Sequence, residues 1–274
     1  FQGPVNMLDT SRNYAMGESE KRIGIAIKEN GGWPENFILS TKIDRNMETL
    51  VLDKKRTRES IEESLKTLNV DSVDILFLHD PEYVKDVNDV TKKDGALDEL
   101  FKIKEEGMAK AVGLAMGKIN IMFPILKNWD FDVIINHNRY TLLNREADEM
   151  YSYAHSKNIS IFNAAPYAGG VLAKGPSNFK KITYQDVTEE KLAPAREIEK
   201  VCKKYNVEMG AAALQFSMKD KRITSTLCGV TSVQSIEKNL SWAQTSIPEK
   251  FWNELLKLPF STKDPESERI FTPG

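Results

Sequence analysis

Phe37-Ile-Leu-Ser-Thr-Lys42 is followed by a helical stretch over residues 57–68 and then by Asp74-Ile-Leu-Phe-Leu-His79. The two flanking runs are short and apolar on both faces, as strands covered by helices are. Between them, Ile61, Leu65 and Leu68 recur at the three- and four-residue spacing of one helix face. Strand, helix and strand in that order, with both strands buried, make a parallel βα unit. The same alternation extends both ways. Val5-Asn-Met-Leu-Asp9 and a helix over 18–29, with Ile23, Ala26 and Ile27 on one face, come before it. A helix near 97–106 that stops at Gly107 comes after it, then strands at 111–115, 133–135, 159–162 and 223–228.

About seven strands emerge, whereas a closed (β/α)8 TIM barrel needs eight. An open seven-stranded barrel would expose two edges, which invites aggregation. The expectation is therefore an α/β chain with a (β/α)8 barrel fold whose first strand and helix, roughly forty residues, are missing from these 274 residues. No linker or composition shift breaks the run, so residues 1–274 read as one N-terminally incomplete barrel domain.

Lys and Arg number 38 against 40 Asp and Glu, a net charge of −2 that argues against nucleic acid as a main partner. Two cysteines cannot build a disulfide framework or a Cys-rich zinc site. His79, His137 and His155 are too far apart in sequence for a ligand motif, and no metal is expected. No run reaches the roughly 18 apolar residues of a spanning helix. A cytoplasmic protein acting on a small molecule, with no membrane or nucleic-acid partner, is the expectation.

In a parallel α/β barrel, reactive side chains sit at the C-terminal ends of the strands. Those ends carry Asp9, Lys42 and His79, with Tyr14 in the loop after Asp9. Each alone has an ordinary explanation as a cap, a solvated lysine, a turn or a packing residue. Three ionisable groups closing three successive apolar strands do not. The chemistry that suits them is hydride transfer assisted by a tyrosine. A lysine ammonium about 4 Å from a phenol favours the phenolate by about 4 kcal/mol at an effective dielectric near 20, and an aspartate would hold that lysine in place. The histidine would hydrogen-bond the substrate oxygen.

Leu8-Asp-Thr-Ser-Arg-Asn-Tyr14, continuing through Gly17 and Glu20, together with Ser40-Thr-Lys42 and Leu78-His79, resembles the signatures of the aldo-keto reductases. Ala15-Met16 stands where the family usually has Tyr-Gly. The resemblance runs over essentially the whole chain and implies an NAD(P)-dependent oxidoreductase with Asp9, Tyr14, Lys42 and His79 as its catalytic tetrad. Gly113-Leu-Ala-Met-Gly117, His137-Asn-Arg-Tyr-Thr-Leu-Leu143 and Asn163-Ala-Ala-Pro-Tyr-Ala-Gly-Gly-Val-Leu172 look most like its sugar-oxidising branch. The implied substrate is a sugar or small aldehyde.

Neither a Rossmann glycine fingerprint nor a P-loop occurs, so a dinucleotide would lie in βα loops. Pro166, Tyr167, Ala168, Gly169 and Gly170 supply backbone that a pyrophosphate could approach. Gly229-Val-Thr-Ser232 opens a helical run whose hydroxyls suit both capping and phosphate contact. The resemblance places Gly229, Thr231, Ser232, Ser235 and Asn239 at cofactor-binding positions. It puts the amide-binding position near His137, with Asn136 and Asn138 as neighbours in the alignment.

The family's nicotinamide-holding Ser-Asn pair is Ala115-Met116 here, and its stacking aromatic falls at Ala164. Ser235 replaces an arginine that in many members meets the adenosine 2′-phosphate, which tilts the expectation from NADP toward NAD; Lys238 nearby weakens that tilt. Trp33, Trp129, Trp242 and Trp252 read as packing residues, while Tyr83, Tyr167, Arg139 and Tyr140 follow strand ends and are candidates for substrate contact. The competing readings are a non-catalytic NAD(P)H-binding regulatory barrel and a metal-dependent barrel hydrolase or isomerase.

Overall fold

The computed structural model describes residues 1–269 in two compact units, divided between Ile134 and Ile135. The first carries β1 (Met7–Asp9), α1 (Glu18–Glu29), β2 (Ile38–Ile43), α2 (Lys54–Leu68), β3 (Val73–His79), α3 (Asn88–Thr91), α4 (Ala96–Glu105), β4 (Ala109–Met116) and α5 (Ile119–Asn128). Strands β1 to β4 are neighbours in sequence order and all parallel, with Asp9 opposite Ser40, Lys42 opposite Phe77 and His79 opposite Ala115. These are the strands that the apolar runs predict, each one to three residues different in extent.

Local signals start and stop the helices. The side chain of Asp53 accepts the Arg56 N–H and caps α2, which ends at Asn69 in the left-handed region (φ 59°). Ile61 and Leu68 on its inner face are fully buried, each worth about 1.5–3 kcal/mol on burial. Gly24 lets α1 lie against α2, because a Cβ there would sit 2.1 Å from the Thr67 carbonyl oxygen. The register places fully buried Leu76, Phe77 and Leu78 beside the equally buried Val112 and Leu114.

The second unit continues β5 (Val133–His137) and adds α6 (Asp148–Ser156), β6 (Ser160–Ala164) and α7 (Val171–Lys174). A hairpin of β7 (Lys181–Ile182) and β8 (Gln185–Asp186) precedes α8 (Glu189–Lys204) and α9 (Met209–Met218). Then come β9 (Ser225–Leu227), α10 (Val233–Gln244) and α11 (Glu249–Leu255), with β6 and β9 paired in parallel. Helix α9 is Ala-rich because it is covered nearly all round. Its Gly210 leaves room for the Trp242 ring of α10, which a Cβ would meet at 2.3 Å. No helix among the described residues is long and apolar enough to cross a membrane.

Candidate active site

The first unit brings Asp9, Tyr14, Lys42 and His79 together. Lys42 is 1% exposed, a position that a cation occupies only with partners. Its Nζ donates to Asp9 Oδ2 and to the Thr10 carbonyl, both at 2.6 Å. Ser40 Oγ donates to the other Asp9 oxygen at 2.7 Å. Ser40 and Lys42 face Asp9 together because alternate residues of a strand share a face. Burial alone would pull the Lys42 pKa down, but Asp9 and then Tyr14 outweigh it and hold the ammonium above its usual range.

Tyr14 opens a tight helical turn, Tyr14–Gly17, in which Ala15 (φ 51°) and Met16 (φ 54°) adopt left-handed backbone. The turn sets the ring over Lys42, whose Nζ is 4.6 Å from the ring centroid. The ring also meets His79 edge-on, with centroids 5.8 Å apart.

The expected acidification of the phenol is not what this geometry produces. Removal from water dominates and, with Asp9 and Asp80 nearby, pushes the Tyr14 pKa up to about 12 against the pull of Lys42. The residue as a whole is 41% exposed, and its phenol is neutral at physiological pH.

His79 ends β3 with Nδ1 2.6 Å from Asp44 Oδ1 and Nε2 3.7 Å from Asp80 Oδ1. Burial disfavours its charged form, and Lys42 opposes it too. The carboxylates of Asp80 and Asp44 outweigh both, so its pKa is raised. Sequence reasoning missed Asp44. The signal was present, since Ser40, Lys42 and Asp44 are alternate residues, but Asp44 lies just beyond the apolar run. It also missed Glu82, whose Oε1 accepts the N–H groups of Gly117 (2.7 Å) and Lys118 (3.3 Å). Burial, then the charge of Asp80, pushes the Glu82 pKa up to about 7. Ala115 and Met116 are buried at the end of β4, where alanine has no polar atom and the methionine sulfur is a weak acceptor and no donor.

The candidate dinucleotide residues all lie in the second unit. Ser232 caps α10 in a reciprocal box with Ser235, and the Thr231 and Ser232 N–H groups donate to Ser235 Oγ. Thr231 and Ser232 are exposed at the positive end of a twelve-residue helix, which favours a phosphate. Tyr167 Oη donates to Asn239 Oδ1 at 2.6 Å, tying the 166–170 loop to α10. Pro166 and Ala168 are buried beside it. Gly170 (φ 114°) and Gly169 (φ 74°) use their left-handed freedom there. A Cβ on Gly169 would meet the Thr183 and Tyr184 backbone, so its small size serves the fold. Gly229 faces open space. His137 ends β5 with Nδ1 3.7 Å from Glu266 Oε1, while Asn136 and Asn138 are buried. Ala164 ends β6, half-buried.

Arg139 and Tyr140, candidates for substrate contact, are engaged with partners inside the protein. Arg139 is fully buried and pairs with Asp264 (2.6 Å), Glu266 (3.5 Å) and Glu146 (3.8 Å). Tyr140 Oη donates to Asp220 at 2.6 Å and its ring packs on Tyr151 and Phe216. Tyr83 packs under the cations of Arg45 and Lys118. The four tryptophans pack, as expected: Trp33 on Phe1 and Phe37, Trp129 on Phe101, Trp242 on Tyr167 and Trp252 on Phe251.

A model of the aldo/keto reductase family matches residues 2–258. The chain belongs to that family. Among curated relatives, it is 30% identical over 253 residues to L-galactose dehydrogenase of Arabidopsis thaliana, covering 88% of this chain and 74% of that one. It is 27% identical over 277 residues to D-threo-aldose 1-dehydrogenase of a Pseudomonas species, covering 92% and 83%. The holo form of an aldo-keto reductase from Bacillus halodurans superposes with a TM-score of 0.74 at 20% identity, over 97% of this chain and 85% of that one. The fold is thus the (β/α)8-barrel fold of the aldo-keto reductases, as the alternating runs predict. The family is one of oxidoreductases that use nicotinamide cofactors.

Proposed function

We propose that this aldo/keto reductase transfers hydride between a nicotinamide dinucleotide and a carbonyl or alcohol substrate, with a sugar of the aldose class or a small aldehyde as the substrate. The observation that carries the reading is the buried Asp9–Lys42 pair directly beneath the Tyr14 ring, with His79 against its edge. The similarity to two sugar dehydrogenases supports the substrate class.

A bound nicotinamide supplies the hydride in reduction and accepts it in oxidation. Tyr14 Oη donates the proton to the carbonyl oxygen in reduction, a role suited to a phenol that is neutral at physiological pH. Asp9 fixes Lys42, and Lys42 stabilises the phenolate left behind. His79 Nε2 contacts the same substrate oxygen. The start of α10, with Thr231, Ser232 and Ser235, and the Tyr167–Asn239 pair would hold the dinucleotide.

Oxidation runs the proton the other way and needs the phenol ionised. With its pKa raised to about 12, the ionised fraction climbs throughout the accessible range, so oxidative kcat is expected to rise from pH 7 to pH 10. A flat profile in steady-state assays would contradict that role.

Aldoses and small aldehydes or their alcohols, each tried with NAD and NADP, test the function through the absorbance of the reduced nicotinamide. Tight dinucleotide binding without turnover on any of them would favour a regulatory barrel instead. Lys238, a cation of α10 that could compete for a 2′-phosphate, is paired with Glu208 at 2.6 Å. NAD is accordingly the proposed cofactor. Ser235→Arg is expected to tighten NADP by about ten- to a hundredfold, the effect of one charge-assisted pair of roughly 1.5–3 kcal/mol. Calorimetric titration of both dinucleotides reads this directly, and tighter NADP than NAD binding by the unaltered chain would refute the preference.

A further inference from the structure

We infer that Asp44 is a positioning residue for His79: it takes the Nδ1 hydrogen of the buried ring and leaves Nε2 as the nitrogen that meets the substrate oxygen. The role rests on the reductase reading above, but its geometry stands apart from it.

Asp44 is 1% exposed and is gripped from three elements. From the loop after β1, Ser11 Oγ and the Asn13 N–H donate to Oδ2 at 2.5 and 2.9 Å. From α2, Ser60 Oγ accepts the Asp44 N–H at 3.1 Å and Arg56 Nε donates to the Asp44 carbonyl at 3.1 Å. From β3, His79 Nδ1 lies 2.6 Å from Oδ1. Burial disfavours the ionised carboxyl, but His79, Ser11 and Asn13 together hold its pKa below the usual range.

An ionised carboxylate only accepts, so Nδ1 must carry a hydrogen in both protonation states of the ring. Ser11 Oγ, 3.4 Å from Nδ1, already directs its hydrogen at Asp44. The same logic orients the histidine of a Ser-His-Asp triad.

Nε2 therefore changes character with pH while the ring stays in place. Asp44 and Asp80 favour the imidazolium, Lys42 opposes it, the Tyr14 ring lies edge-on, and Asp9 is neutralised by Lys42. The net effect raises the pKa. Below that pKa, Nε2–H donates to a carbonyl oxygen. As pH rises through it, Nε2 becomes an acceptor and the help given to reduction is lost.

Asp44→Asn tests this with nearly unchanged shape. The asparagine oxygen must face the Ser11 and Asn13 donors, which turns its NH2 toward Nδ1. The neutral ring is then forced into the Nε2–H tautomer, and the imidazolium loses a counter-charge. Histidine 15N NMR, with His79 assigned from a His79→Gln sample, should show the Nδ1–H tautomer at alkaline pH in the unaltered protein and the inverted tautomer in Asp44→Asn.

In the same variant Nε2 keeps its hydrogen in both protonation states of the ring, so the alkaline fall of kcat/KM for carbonyl reduction that His79 imposes in the unaltered protein should flatten. Ser11→Ala, which keeps the carboxylate, should retain the tautomer.

A neutral Nε2–H ring in the unaltered protein overturns the assignment, whether or not Asp44→Asn folds. An Asp44→Asn enzyme with unchanged tautomer and pH profile overturns it equally. Failure of the reductase reading looks different: no dinucleotide-dependent turnover in the unaltered protein, with the Nδ1–H tautomer still present.

Discussion

Tyr14→Phe is expected to lower turnover by about 10²- to 10⁴-fold, the range that a positioned proton donor contributes, and to leave dinucleotide affinity unchanged. The substitution removes one oxygen and nothing else. Phenylalanine keeps the edge contact with His79 and the ring face above Lys42, so the turn and the buried Asp9–Lys42 pair have no reason to rearrange. At 1.36 kcal/mol per tenfold, the loss is about 2.7–5.4 kcal/mol of transition-state stabilisation. The proposed dinucleotide contacts are made by Thr231, Ser232, Ser235, Tyr167 and Asn239 rather than by the Tyr14 hydroxyl, which is why affinity should be spared. Steady-state rates and a fluorescence titration with the reduced dinucleotide measure the two halves separately. Turnover within a fewfold of the parent would remove the phenol from the chemistry.

Arg139→Met is expected to be the most destabilising of the substitutions considered, by about 3–5 kcal/mol in urea unfolding, as when one partner of a buried ion pair is removed. The guanidinium has no exposure and faces three carboxylates, one of them, on Glu266, just as buried. Even with the arginine present, burial and the charge of Asp264 push the Glu146 carboxyl up to about 7. Without it, Glu266 would be left beside Asp264 with Arg269, His137 and hydrogen bonds such as that from Asn138. Adding Glu266→Gln should therefore recover part of the loss. A single-variant loss under about 1 kcal/mol would show that the cluster has water access that the burial denies.

The strands, the fold and the cluster of Asp9, Tyr14, Lys42 and His79 were legible because each rests on a local pattern. Asp9, Lys42 and His79 are ionisable groups closing apolar runs, and that contrast survives in one dimension. What was not legible depends on partners far along the chain. Asp44 acquires meaning only from His79, 35 residues away, and Arg139 only from Asp264, 125 residues away. Both residues follow strands, so position alone could not say that one turns inward to carboxylates and the other to an imidazole.

The direction of the Tyr14 shift was misread for a related reason. A neighbouring lysine can be inferred from spacing, whereas the loss of water around a phenol is a property of the folded surroundings. The β7–β8 hairpin went unseen because two-residue strands carry no periodicity.

Ala15 and Met16 hold left-handed backbone without being glycine, at a cost of roughly 1–2 kcal/mol each. Met16 is also 86% exposed, so its side chain returns little of that cost through burial. The segment that carries the proposed proton donor is therefore a place where thermal tolerance can be gained cheaply. A glycine at residue 16 would ease the backbone while loosening the hold on the ring two residues earlier. Selection for a hardier chain and selection for a faster one pull in opposite directions at that residue.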